Sequence, residues 1–212
     1  MKKITFLVDG FNVYHSLESV YRNEGACYKW LDLYSLCQSF IYLFGKNAIL
    51  DDVYYFTSIA YYTQNKDKIK RHKDYIRCLE SKGINVVEGR FKNKQQYCPN
   101  CRTIFKAHVE KQTDIAIASK LLELLFFRNE VQCESFCIIT GDTDIVPAIK
   151  AAIKIQPTLD IRFAFPVGRT SKELKQIAPL SFNLKSGHYK ANQLRNPYKL
   201  SDGSFVRKPL TW

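Results

Sequence analysis

The chain has 212 residues, 46% hydrophobic and 25% charged, the balance of a folded globular protein of one ordinary domain. That composition excludes a disordered chain, a collagen-like fibre and a disulfide-stapled miniprotein, and no apolar run approaches the roughly 20 residues that cross a bilayer. Lysine and arginine outnumber aspartate and glutamate 32 to 20, a formal charge of +12, which favours a polyanionic partner, nucleic acid above all.

In chain order, Ile4 to Val8 is a short apolar run expected to form a strand buried on both faces. The run meets Asp9 too early for a signal peptide. Leu31 to Phe44 has helical spacing, Val53 to Ala60 reads as a second strand, and Asn65 to Ser81 as a charged surface helix stopped by Gly83. Ile84 to Phe91 is expected to be a third strand. Asp114 to Phe127 reads as a strong helix, with Ile115, Ala118, Leu121, Leu122 and Leu125 on one face. Strands at Phe136 to Thr140 and Ile161 to Phe165 enclose a helix near Ile145 to Ile153. A helix at Ser171 to Ile177 leads into a short strand at Ser181 to Leu184.

This alternation predicts an α/β fold, a mostly parallel sheet flanked by helices on both faces. Residues 1–184 are expected to form one domain, with an insertion near 91–108. From Lys185 the apolar periodicity stops, and 185–212 reads as a basic, aromatic-containing extended tail. Its Tyr189, Tyr198, Phe205 and Trp212 could pack on the domain or on a second subunit, so a homodimer is one expected assembly.

Two of the strands end on acids, Asp9 after Val8 and Asp142 after Thr140-Gly141. In a parallel sheet both ends lie on the carboxyl edge, where open α/β folds place ligands. Asp144 follows two residues later, and Asp114 opens the long helix. Each of Asp114, Asp142 and Asp144 alone could be an ordinary helix cap. Capping does not account for acids at two strand ends plus an adjacent pair. Gathered carboxylates repel one another and suit a hard cation, Mg²⁺ or Mn²⁺. Asn12 could orient water or a phosphate, or serve only as a turn residue. Lys111 could meet a phosphate or simply be solvated. No Walker loop, dinucleotide fingerprint or serine or cysteine nucleophile motif is present.

Val8-Asp9-Gly10-Phe11-Asn12, Glu110-Lys111-Gln112-Thr113-Asp114 and Thr140-Gly141-Asp142-Thr143-Asp144-Ile145-Val146-Pro147 resemble, in order and spacing, the signature segments of NYN-domain proteins. These belong to the PIN-like nuclease superfamily, and the LabA-like branch is the nearest likeness. The resemblance implies a Rossmann-like (PIN-like) three-layer fold and metal-dependent endoribonuclease activity. It also implies that Asp9, Asp114, Asp142 and Asp144 form the acidic metal site, with Asn12 as their polar partner. Ile145 departs from the aromatic residue many relatives carry. The rival expectation is a non-catalytic RNA-binding or regulatory module that keeps the fold.

Seven cysteines without an extracellular address read as free thiols or metal ligands, and the expected compartment is cytoplasmic. Cys98-Pro99-Asn100-Cys101 has the spacing of a zinc half-site, with His108 nearby as a further ligand. The alternative is an ordinary turn with two reduced thiols. Arg90, Lys92, Lys94, Arg102 and Lys106 form a stretch without an acid, interleaved with Phe91, Tyr97 and Phe105. That pattern suits RNA, through phosphate pairing and base stacking, and equally suits a solvated loop. No membrane partner is expected.

Overall fold

Lys2–Asp9 forms strand β1, buried from Ile4 to Asp9 in the computed structural model. The structure describes residues 1–97, 99–127 and 133–212, without the side chains of 92–94, 96, 105–111, 133 and 134. Helix α1 (Gly10–Glu24) follows at once, because the Asp9 carboxylate accepts the Asn12 backbone N–H and caps it. It buries Val13, Ser16, Leu17 and Val20, the spacing of one helical face. Gly25, left-handed at φ 69°, ends it by donating its N–H to Tyr21.

Leu31 to Phe44 does not form the single helix its spacing predicts. It divides into α2 (Leu33–Gln38), capped by Asp32, and a 3-10 turn at Ile41–Phe44. Trp30, Leu31, Leu33, Leu36, Cys37, Phe40, Ile41 and Phe44 are all buried. Gln38, Ser39 and Tyr42 stay exposed, so burial still follows the helical spacing while the backbone breaks at Ser39–Phe40.

Strand β2 (Ala48–Thr57) starts earlier and stops sooner than the expected Val53 to Ala60, in parallel register with β1 from Lys2↔Ala48 to Asp9↔Phe56. Helix α3 (Lys66–Ser81) is capped by Asn65 and buries Tyr75, Ile76, Cys78 and Leu79. The expected third strand divides at Gly89, whose N–H bonds the Thr57 carbonyl at 2.7 Å. Its first part, β3 (Asn85–Glu88), pairs with β2; its second, β4 (Arg90–Tyr97), pairs antiparallel with β5 (Ile104–Lys111) as a separate two-stranded arm.

Helix α4 (Thr113–Phe127) buries Thr113, Ile117, Leu121, Leu124 and Leu125. The expected face is therefore rotated: Ile115 is 69% exposed. A helix apolar on almost every side carries no clear stripe, so packing chooses the face. Strands β6 (Cys133–Ile139), β7 (Asp160–Phe165) and β8 (Phe182–Asn183) alternate with α5 (Val146–Ile155) and α6 (Lys172–Ile177).

The central sheet has the order β3-β2-β1-β6-β7-β8 and is parallel throughout. Successive β1 residues face opposite layers. Phe6 and Val8 pack with Val13 and Leu17 on one side, while Leu7 packs with Ile117, Leu121 and Ile149 on the other. The result is the expected α/β three-layer architecture.

Residues 185–212 depart from an extended tail. They form α7 (Ser186–Ala191) and a small antiparallel pair, β9 (Tyr198–Lys199) with β10 (Phe205–Val206). Tyr189, Leu194, Leu200 and Val206 are buried in the core cluster of β1 and α1. Trp212 packs on Trp30 and Tyr75 at ring separations of 6.0 and 5.5 Å. Spaced anchors, rather than a periodic face, hold this segment, so periodicity does not reveal it. Among the described residues no helix is long and apolar enough to cross a membrane.

Candidate active site

After β1 the chain builds β2 and β3 on one side, then returns to lay β6 against β1's other edge. Strand order reverses between β1 and β6, which opens a crevice at their carboxyl ends. The register pairs Val8 with Ile139, bringing Asp9 level with Thr140.

Asp9 is only 2% exposed. Its Oδ1 accepts the Asn12 backbone N–H at 3.0 Å, and its Oδ2 accepts Asn12 Nδ2 at 2.6 Å and the Thr140 hydroxyl at 2.8 Å. Burial raises the Asp9 pKa above the usual carboxylate value; these donors oppose the rise, and the Asp142 charge adds to it. The Asp142 backbone N–H in turn donates to Thr140 Oγ1 at 3.1 Å. One hydroxyl thus ties the two strand ends together.

Asp142 also caps the following 3-10 turn (Thr143–Ile145), accepting the Asp144 N–H at 3.0 Å. Capping and site membership are therefore compatible here. Asp144 is exposed on that turn. Asp114 sits half-buried in the first turn of α4, a helix that packs against the same turn. Among the described residues no group of three or more His, Cys, Asp or Glu side chains stands close enough to hold one ion. The structure brings Asp9 and Asp142 together and leaves Asp144 and Asp114 on adjoining turns.

The donor chemistry suits a hard divalent cation such as Mg²⁺. Such an ion needs only one or two carboxylates beside water and phosphate oxygens. A buried Asp9 whose ionisation is disfavoured by its surroundings and by Asp142 is a place where a cation relieves a cost.

Arg169, which sequence reasoning passed over, belongs to this edge. It lines an open cleft of about 430 Å³ with Asn12, Gly141, Asp142, Thr143, Gly168 and Thr170. Asn12 Oδ1 accepts the Gly141 N–H at 3.2 Å and lies 3.5 Å from an Arg169 guanidinium nitrogen. Any Cβ at Gly141 would run into the Arg169 carbonyl, so the loops after β6 and β7 meet backbone to backbone. The signal available was Gly168-Arg169-Thr170 after a strand end on the same edge. His15 lies close enough to feel this cation: burial first, then Arg169, lowers its pKa, while Asp9 opposes the shift.

The basic residues divide. Arg90 is exposed at the base of the β4–β5 arm, where its backbone is in register with Lys111, whereas Arg102 is exposed at the tip with φ 53°. The side chains of Lys92, Lys94, Lys106 and Lys111 lie outside the described residues. So do Cys98 and the His108 side chain; Cys101 is exposed, its Sγ 2.9 Å from Thr103 Oγ1.

A search of curated proteins gives no match. The model of the NYN domain matches residues 3–182, from the first residues of β1 to the start of β8, and spans every element that builds the acidic edge. By that match the chain belongs to the NYN domain family.

Proposed function

We propose that this protein is a metal-dependent endoribonuclease that cleaves RNA phosphodiester bonds at the carboxyl edge of β1 and β6. NYN domains are PIN-like members of a ribonuclease superfamily and are generally nucleases, which supports the reading. The observation that carries it is the Asp9–Thr140–Asp142 connection at the strand-order reversal, with Arg169 beside it.

Asp9 and Asp142 would hold Mg²⁺ or Mn²⁺, with Asp144 and Asp114 completing the acidic set. Bound there, the ion would acidify water and neutralise charge developing on the phosphate. Asn12 fixes the Asp9 carboxylate through its backbone and side-chain N–H groups. Arg169, with the Thr143 hydroxyl, offers donors for phosphate oxygens in the cleft. Asp142 Oδ1 is engaged by the Asp144 N–H, so Oδ2 is the atom that would face the ion and orient its water. Lys111, Arg90, Lys92, Lys94, Arg102 and Lys106 would pair with flanking phosphates.

The three signature segments support the LabA-like branch, the cysteine spacing supports a structural Zn²⁺ at Cys98, Cys101 and His108, and seven cysteines without an extracellular address support a cytoplasmic setting. A homodimer belongs to the same proposal, and of the aromatic residues after Leu184 only Phe205 stays largely exposed to support it.

One observation favours the rival, a non-catalytic RNA-binding module: both Asp9 oxygens already accept protein hydrogen bonds. A cleavage time course on mixed RNA and single-stranded DNA, with Mg²⁺, Mn²⁺ or EDTA, separates the two. Cleavage of RNA with Mn²⁺ and none in EDTA is expected. Binding without cleavage under every metal would establish the rival.

A further inference from the structure

We propose that Tyr62, Phe91, Phe11 and His15 form a base-stacking track that feeds single-stranded RNA into the acidic edge. The inference rests on reading that edge as an RNA-cleaving site, and it specifies the form of the substrate.

The rings come from three separate parts of the chain. Tyr62 follows the carboxyl end of β2, Phe91 opens the β4–β5 arm, and Phe11 and His15 lie on successive turns of α1. They form a continuous row: Tyr62 to Phe91 at 4.9 Å, Phe91 to Phe11 at 5.8 Å, and Phe11 to His15 at 6.1 Å. Tyr14 extends it, 5.6 Å from His15. Their contacts are edge-to-face or tilted, so the rings are not consumed by stacking on one another.

None of Tyr62, Phe91, Phe11 and Tyr14 belongs to either hydrophobic core cluster among the described residues. Tyr62 and Tyr14 are 43% and 44% exposed. At one end of the row Phe11 follows Asp9 by two residues, in the first turn of α1.

Charge selects the occupant. Arg90 is exposed next to Phe91, Lys73 lies over the exposed Tyr61 ring at 5.1 Å, and Arg169 acts on His15. With a net charge of +12, this edge combines exposed and partly exposed rings with cations, the pairing that holds unpaired bases and their phosphates. Duplex bases are already stacked on each other and present no face to such a row.

The test is fluorescence anisotropy without divalent ions, using a labelled RNA of about 12 nucleotides lacking self-complementarity, alone or annealed to its complement. Tyr62→Ala and Phe91→Leu should each weaken single-strand binding roughly fivefold or more, with duplex binding unchanged. Tyr62→Phe should bind like the parent, since the ring is kept. Tyr62→Trp should show fluorescence quenched by the single strand and not by the duplex. Parent-like single-strand affinity in both ring-loss variants, or equal losses for single strand and duplex, would overturn the track. Because no cleavage is measured, that failure is separate from failure of the nuclease reading, which shows as intact binding without metal-dependent cleavage.

Discussion

At the scale of single residues, the site depends on how Asp9 is held. Thr140 is 1% exposed and its hydroxyl serves both Asp9 and Asp142. Thr140→Val keeps the shape but leaves Asp9 Oδ2 and the Asp142 N–H without that partner. We expect a loss of about 1–3 kcal/mol in denaturant unfolding, with Thr140→Ser recovering most of it. His72 supplies a pH signature away from the site. Burial, then Lys68, lowers its pKa to about 4 from an ordinary 6.5, and its Nε2 lies 3.1 Å from Thr57 Oγ1. The folded protein resists protonating this ring, so its contribution is intact above pH 6.5 and fades as pH falls toward 4. Between pH 7 and 5, parent stability should fall by about 1–2 kcal/mol more than that of His72→Asn. Equal slopes would show that His72 is not buried as a neutral ring. Asp9 and Asp142 were legible in the sequence because each closes an apolar run. Arg169 was not, because only the sheet order sets the loop after β7 beside the loop after β6.

At the scale of elements, two glycines fix how loops meet the sheet. A Cβ at Gly10 would lie 2.5 Å from the Phe56 carbonyl and 2.9 Å from the Tyr55 ring, so α1 starts flush against β2 only with glycine there. Gly141 meets the Arg169 backbone in the same way. Gly141→Ala should push the two loops apart, costing about 1–3 kcal/mol in thermal or chemical unfolding. It should also reduce RNA cleavage, because Asp142 and Arg169 both move; unchanged stability would mean the loops yield freely. Elements with one apolar face, such as α3, were legible in place and extent. Two others were not: Leu31 to Phe44 keeps its helical burial but breaks into turns, and α4, apolar on almost every side, turned Ile115 outward. Gly89 divides the third strand because its N–H goes to Thr57, a long-range partner that no local pattern announces.

At the scale of the whole molecule, the segment after Leu184 closes one face of the sheet. Tyr189 is fully buried and its hydroxyl lies 2.9 Å from Ser16 Oγ on α1. Tyr189→Ala should cost about 3–5 kcal/mol, the range for emptying a buried aromatic site. A loss under about 1 kcal/mol in urea unfolding would show that the segment is a loosely attached tail. The layered fold was legible from strand–helix alternation. The closing segment was legible only in its aromatic anchors Tyr189, Tyr198 and Trp212, which pack on the domain; its helix and strand pair were not, since Leu194, Leu200 and Val206 are spaced by polar turns.

Cleavage of RNA in Mn²⁺ by the parent and by Asp142→Asn tests the account most directly. Asparagine caps the Thr143–Ile145 turn as well as aspartate does, so folding should be preserved, and RNA binding should survive the loss of one repelling charge. The variant removes one of the two carboxylates that meet at the strand-order reversal. A fall in cleavage rate of roughly a hundredfold or more is expected. Cleavage by Asp142→Asn at the parent rate would contradict it.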